Sequence, residues 1–159
     1  MKSKRKTWRR HDHRRCLVAA LHAAEALCRA RGARLTPSRK KVLKMVLAGH
    51  AAVKAYDLIA AFDGGRGTTK PPTVYRALDF LLAQGLVHRI ESLNAFIGCP
   101  SPGAGHASQF FICDTCQGVS EMDARPLTHA IASKARAARF RVTRHNLEIH
   151  GICAACASA

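Results

Sequence analysis

Apolar residues recur three and four positions apart through the first half of this chain, then switch to alternation in short runs. The first pattern is that of amphipathic helices and the second that of strands. Leu17, Leu21, Ala24, Leu27 and Cys28 form one stripe, predicting a helix over 16–31 that stops at Gly32. Thr36-Pro37 opens a second helix: Thr can cap free amides, and Pro suits a first turn whose N–H has no partner. Val42, Leu43, Val46 and Leu47 make its inner face, Arg39, Lys40, Lys41 and Lys44 lie outside, and Gly49 ends it. A short helix follows at 54–62 with Tyr56, Leu58, Ile59 and Phe62. After the Gly-rich loop 63–70, Pro71-Pro72 starts a helix over 72–84, with Val74, Leu78, Leu81 and Leu82 inward and Gly85 as its stop. Residues 86–91 and 95–99 alternate around the turn Ser92-Leu93-Asn94 and predict a hairpin. Helices followed by a two-stranded hairpin is the order of a winged helix-turn-helix.

Composition shifts sharply at Cys99-Pro100-Ser101-Pro102-Gly103-Ala104-Gly105, which reads as a hinge. Beyond it, strands are expected at 109–113, 119–122, 140–143 and 146–149. Asp123 is placed to cap a helix running to about residue 138, with Leu127, Ile131 and Ala135 inward. The chain therefore divides into a basic arm (1–15), a winged-helix DNA-binding domain (16–99), a hinge (100–107) and a small α+β domain (108–159). Neither folded half is large enough for more than a thin core, so a staple or a partner chain is expected.

Charge then narrows the function. There are 26 Lys+Arg against 10 Asp+Glu, a formal net charge of +16. Such an excess favours an anionic partner, most simply nucleic acid. In a winged helix-turn-helix the second helix of the pair enters the major groove, here the helix 72–84. Thr73, Tyr75 and Arg76 near its start can face DNA, and Arg76 can bond a guanine edge or a phosphate. Tyr56, on the preceding helix, can reach the backbone or a thymine methyl; core packing is its alternative. An ion pair with Asp79 is the alternative for Arg76. Lys70, Arg39 and Lys41 are candidate phosphate contacts, or simply solvated.

Seven cysteines, four of them in the pairs Cys113/Cys116 and Cys153/Cys156, argue for a reducing compartment and metal thiolates over disulfides. Two Cys-x-x-Cys pairs complete the four-sulfur shell of a structural zinc, tying the two ends of the second domain together. A redox dithiol fits less well, because both pairs lie in turn-rich stretches. A looser set, His88, Cys99, His106 and Glu121, mixes nitrogen, sulfur and oxygen donors and suits a zinc that fills and empties. His88 falls on the wing, Cys99 at its end, His106 in the hinge and Glu121 beyond it, so a metal held by all four would couple occupancy to conformation. No clustered carboxylates suggest a nuclease, a thiol oxidoreductase would leave the +16 charge unexplained, and a passive zinc store needs no recognition helix. No apolar run approaches the roughly 18 residues of a membrane span. The basic start followed by Cys16–Leu21 imitates a secretion signal, but His22 and Glu25 interrupt it and the spacing is helical. A cytoplasmic regulator without enzymatic activity or small-molecule substrate is expected.

Three segments carry a resemblance. Pro71-Pro72-Thr73-Val74-Tyr75-Arg76-Ala77-Leu78-Asp79-Phe80-Leu81 resembles the recognition helix of the ferric uptake regulator family. Phe111-Ile112-Cys113-Asp114-Thr115-Cys116 and Arg144-His145-Asn146…His150-Gly151-Ile152-Cys153-Ala154-Ala155-Cys156 resemble its zinc-binding segments. The match covers about residues 20–157 and looks like the family's zinc uptake regulator branch. It implies a homodimeric transcriptional repressor with zinc as corepressor, two zinc ions per subunit, on an AT-rich palindromic operator. Residue by residue, it places structural zinc on Cys113, Cys116, Cys153 and Cys156, regulatory zinc on His88, Cys99, His106 and Glu121, and DNA contacts on Tyr56 and Arg76. The second domain then becomes the dimerisation domain. A same-fold sensor of iron, manganese or peroxide is the alternative; those branches use a His-rich hinge, and this hinge has one His. The Gly/Pro-rich hinge and the long basic arm depart from the family pattern. His145 and His150 are positions for a further metal ligand, or hydrogen-bonded strand residues.

Overall fold

The computed structural model describes residues 13–49, 51–67, 70–103, 109–122, 125–143 and 145–158. Most of the basic arm, His106 (expected as a hinge ligand) and Asp123 (expected as a helix cap) lie outside the described residues. The chain separates into two compact units, divided between residues 105 and 106.

The first unit contains α1 (His13–Ala30), α2 (Pro37–Val46), β1 (Val53–Lys54), α3 (Ala55–Phe62), α4 (Pro71–Ala83), β2 (Val87–Ile90) and β3 (Ala95–Gly98). The helices start and stop where the punctuation residues stand. The Thr36 hydroxyl accepts from the Arg39 amide at 3.5 Å with Pro37 in the first turn of α2. Gly32 and Gly85 sit at φ +64° and +65°, where a Cβ would be strained. The Ala33 amide closes α1 by donating to the Cys28 carbonyl at 2.8 Å. The inward stripes meet in one core built from Leu21, Ala24 and Cys28 of α1, Val42, Leu43 and Val46 of α2, Leu58 of α3, and Val74, Ala77, Leu78 and Leu81 of α4. Burial pushes the Cys28 thiol pKa up, as suits a sulfur used as an apolar atom.

A three-stranded antiparallel sheet in the order β1-β3-β2 flanks this core, with Val53 opposite Phe96 and Val87 opposite Gly98. The hairpin was legible in the alternation. Strand β1 was not: two residues are too few to show a period, and only pairing with β3 defines it. At the other end of α4, an Arg31 guanidinium N–H donates to the Gln84 carbonyl at 2.8 Å and ties the end of α1 to the end of α4.

The second unit contains β4 (Gln109–Cys113), β5 (Val119–Glu121), α5 (Arg125–Ala137), β6 (Leu147–Gly151) and the single turn α6 (Ala154–Ala157). Its sheet has the order β5-β4-β6, with β5 antiparallel and β6 parallel to the central strand. Phe110, Ile112, Cys113 and Val119 are its buried apolar residues and Gln109 its buried polar one, its amide donating to the Thr128 hydroxyl at 3.0 Å.

Three expectations need correction here. Residues 140–143 form no strand: they pair with none of β5, β4 and β6, and Phe140 stands 68% exposed. The expected inward stripe of α5 is only partly covered among the described residues: no α5 residue is buried, Ile131 and Ala135 are half-buried and Leu127 is exposed. The final cysteine pair, expected in a turn-rich stretch, sits on a helical turn with Cys153 at its N-cap.

Candidate metal centre and nucleic-acid face

The four paired cysteines converge because β4 and β6 run parallel. Cys113 lies opposite Gly151 in that register, so both strands deliver a Cys-x-x-Cys segment to the same end of the sheet. The Asp114 amide extends the ladder to the Gly151 carbonyl at 2.8 Å. After Cys113 the chain turns tightly: the Gln117 amide returns to the Cys113 carbonyl at 2.8 Å, with Gln117 at φ +57°. After Gly151 the chain enters α6, with Cys153 at its N-cap and the Cys156 amide donating to the Cys153 carbonyl at 2.9 Å.

The sulfurs of Cys113, Cys116, Cys153 and Cys156 all lie within 4.8 Å of one another, and Cys116 Sγ to Cys153 Sγ is 3.9 Å. Four thiolates about 2.3 Å from a tetrahedral zinc stand roughly 3.8 Å apart, so the donor set fits that ion in number, chemistry and spacing. The thiols are unequal. The Cys113 thiol is pulled down to about 6, chiefly by the Cys153 amide donating to its sulfur at 3.3 Å, with the Cys116 amide adding to it. The Cys156 thiol is pushed up to about 12 by the adjacent Cys153 sulfur and by burial. Cys116 is also raised: the Gly118 amide draws it down, but burial and the neighbouring sulfurs outweigh that. Cys113 is thus poised as a thiolate, whereas the raised Cys116 and Cys156 must give up protons to a metal. The Cys153 amide was the part of this centre that spacing could not foretell.

The second proposed set is partly assembled. On the hairpin β2–β3, His88 is opposite Ile97, and Cys99 follows two residues later on the same side of the pleat. The Cys99 amide donates to the Leu86 carbonyl at 3.0 Å, and the ligand atoms of His88 and Cys99 lie within 4.8 Å of each other. Cys99 is buried and His88 half-buried. Glu121 ends β5 in the second unit, half-buried. His150 is engaged elsewhere, its Nδ1 2.9 Å from Asp114 Oδ1, and His145 is half-buried beside β6.

The helix pair α3–α4 presents a polar face. Lys70, Thr73, Tyr75 and Arg76 are exposed along the first turns of α4, opposite the buried Val74, Ala77 and Leu78. Tyr56 on α3 is 78% exposed, which removes core packing as its role. Arg76 makes no ion pair with Asp79 among the described residues, which leaves its guanidinium available. Arg39 and Lys41 differ. The Arg39 guanidinium lies 3.6 Å from the Phe80 ring centroid and donates to the Arg34 carbonyl at 2.7 Å. The Lys41 ammonium lies 4.5 Å from the Phe62 ring centroid. Charge follows the same division: residues 13–103 hold 14 Lys+Arg against 5 Asp+Glu, and residues 104–159 hold 6 against 4.

Comparison with known proteins agrees with this architecture. The model of the ferric uptake regulator family matches residues 30–150. The chain belongs to the ferric uptake regulator family. It is 44% identical over 137 residues to the zinc uptake regulation protein of Escherichia coli K12, spanning 86% of this chain and 80% of that one. Among solved structures it resembles a zinc uptake regulator complexed with zinc and DNA, with a TM-score of 0.84, 40% identity, and coverage of 89% of this chain and 95% of that one. Holo XcZur gives a TM-score of 0.81 and 44% identity, covering 89% of this chain and 99% of that one. These family members are regulators. No helix among the described residues is long and apolar enough to cross a membrane.

Proposed function

We propose that this chain is a zinc-responsive transcriptional repressor that binds the operators of zinc-uptake genes as a homodimer. The observation that carries the reading is the placement of His88 and Cys99 together on the hairpin that directly follows the DNA-facing helix α4. A nitrogen and a thiolate within reach of one ion fit zinc and disfavour the oxygen-rich shells of manganese. The set is completed by His106 and Glu121, as the resemblance implies, giving two zinc sites per subunit with the four-cysteine centre. The likeness to a regulator complexed with zinc and DNA supports both partners.

The chain's own residues would act as follows. Cys113, Cys116, Cys153 and Cys156 hold a structural ion that joins the β4 and β6 ends, and bound zinc supplies only charge neutralisation and tetrahedral geometry there. His88 and Cys99 orient donors for the second ion, and occupancy favours the conformation competent for DNA. Thr73, Tyr75 and Arg76 enter the major groove; Tyr56 and Lys70 hold the backbone. The open α5 face, with Leu127 and Phe140 exposed, is covered by the second copy. In this reading the protein acts in the cytoplasm, is not an enzyme and takes no small-molecule substrate.

Fluorescence anisotropy of a labelled AT-rich palindromic duplex, titrated with protein across buffered free zinc at fixed salt, tests it. Binding that rises with zinc and fails on a scrambled duplex is expected. Binding that ignores zinc, or follows iron, manganese or oxidation, overturns it. Cys99→Ser should abolish the zinc-dependent gain and leave a folded dimer. An unfolded or monomeric variant would move Cys99 from sensing to structure.

A further inference from the structure

The two cations on α2 that composition marks as phosphate ligands are engaged by aromatic rings. Arg39 stacks on Phe80 of α4, and Lys41 sits over Phe62 of α3. These are the two helices of the DNA-reading pair, and α2 grips each through one cation. We infer that Arg39 and Lys41 are positioning residues that fix the attitude of α3 and α4, and not ligands of phosphate.

The geometry favours Arg39 as the stronger clamp. Its guanidinium is 3.6 Å from the Phe80 centroid, well inside the roughly 6 Å reach of a cation–π interaction. The same guanidinium donates to the Arg34 carbonyl at 2.7 Å, a second anchor beside the ring. A planar group stacked on a ring and anchored to a carbonyl is fixed in direction and half-buried, and reaching out to DNA would break both contacts. Phe80 lies one helical turn beyond Arg76 on α4, so a shift of the ring moves the helix that carries the base-reading side chains. Arg31 holds the end of the same helix through the Gln84 carbonyl, so α4 is anchored at two points by arginine side chains. Lys41, at 4.5 Å from Phe62, is held more loosely and serves α3, which carries Tyr56.

This rests on the DNA-binding function proposed above, and salt dependence separates the alternatives. Removing a side chain that neutralises one phosphate lowers the slope of log affinity against log salt by about 0.9. A positioning residue changes affinity and base discrimination while the slope stays. The experiment uses full-length zinc-loaded protein, the AT-rich palindromic duplex and its scrambled form across a salt series. For Arg39→Gln we expect binding to the palindrome weakened about threefold to fivefold, a smaller preference over the scrambled duplex, and an unchanged slope. Arg39→Lys keeps the charge and should recover only part of the preference, because the flat stack is absent. Phe80→Leu should cost as much as Arg39→Gln, and the double variant no more than either, since both break the same interaction. Lys41→Gln should show the same pattern more weakly.

A slope lowered by about 0.9 for each cation removed, or full recovery by Arg39→Lys, would make these cations phosphate ligands and overturn the inference. Additive effects of Arg39→Gln and Phe80→Leu, or an unchanged preference in either, would also overturn it. If the wild-type protein binds neither duplex with zinc present, the DNA-binding function itself fails and takes the inference with it. A thermal melt of each variant, with binding measured well below the transition, separates unfolding from a change of positioning.

Discussion

The two units of this chain are stabilised by different means. Residues 13–103 close a core from four helices and a sheet, with Val42, Val46, Val74 and Leu81 at 0% exposure. Residues 109–158 bury only Phe110, Ile112, Cys113 and Val119 among their described apolar side chains, and α5 buries none. The first unit satisfies its own hydrophobic pattern. The second leaves an apolar face open and gathers four sulfurs at the end of its sheet. A unit of this size with so thin a core needs a staple or a partner, and its sequence supplies the means for both. The contrast shows why amphipathic pattern alone misjudges α5: the stripe is real, but the described residues of its own unit leave it largely open.

Removing the staple should produce the largest effect. Structural zinc sites of four cysteines contribute about 10–16 kcal/mol at neutral pH, more than a thin core provides. Cys113→Ser should unfold the second unit and leave α1–α4 helical. Circular dichroism together with zinc content checks it. A variant that keeps the β4–β6 sheet and the dimer while holding one zinc fewer would show that the open face alone is sufficient.

The converse change lies in the first unit. Leu81 is fully buried on α4, in the core that also holds Leu78, Val87 and Phe96, and Leu81→Ala should cost about 2–5 kcal/mol of that unit's stability. Differential scanning calorimetry should show its transition falling while the zinc content of the second unit stays constant. Loss of zinc in Leu81→Ala would mean that the two units do not stabilise themselves separately.

Legibility in the sequence divides along the same line. The helices α1–α4 lie close to where local periodicity, Thr36-Pro37, Gly32 and Gly85 place them, because their partners are near in sequence and each buries its own stripe. The four-cysteine centre was legible from spacing, since two thiols two residues apart can bind one ion from a single turn and two such pairs complete four sulfurs. What spacing could not show depends on pairing between distant segments. The strand expected at 140–143 has good alternation in Phe140-Arg141-Val142 but pairs with no strand of the sheet, and alternation alone does not supply a partner. Arg39 and Lys41 look solvated on a helical wheel, because the rings that hold them belong to other elements. Strand β1 exists only through β3.

Breaking the open face comes next in size. Phe140→Asp puts a charge where the second unit presents its most exposed aromatic ring, 68% accessible. If a second copy covers that ring, the dimer should weaken by about 2 kcal/mol, roughly thirtyfold in dissociation constant. Sedimentation velocity over a concentration series reads it directly. The melting of α1–α4 should not move. A dimer of unchanged affinity would place the covering surface on another part of the face.

The smallest effect concerns the staple itself and its dependence on pH. In the metal-free centre the Cys113 thiol titrates at about 6 and the Cys156 thiol at about 12. For Cys113 the folded value lies below that of a free thiol, so its stabilisation is present in alkaline solution and fades as pH falls through about 6. For Cys156 the sign reverses: its stabilisation is present below the free-thiol value and is lost as pH rises toward about 12. At neutral pH, therefore, Cys113 is ready to ligate and Cys156 still holds its proton. Zinc loading must expel that proton, and the raised Cys116 thiol contributes to the release. Apparent zinc affinity should rise about tenfold per pH unit for each proton displaced, about 1.4 kcal/mol. Calorimetry in two buffers of different ionisation enthalpy counts the protons released. Cys113→Ser removes the poised thiolate, whereas Cys156→Ser should reduce the proton count at neutral pH. A centre that loads zinc with no proton released would mean that all four sulfurs are already thiolates, and that the inequality between Cys113 and Cys156 has no role in assembling the second unit.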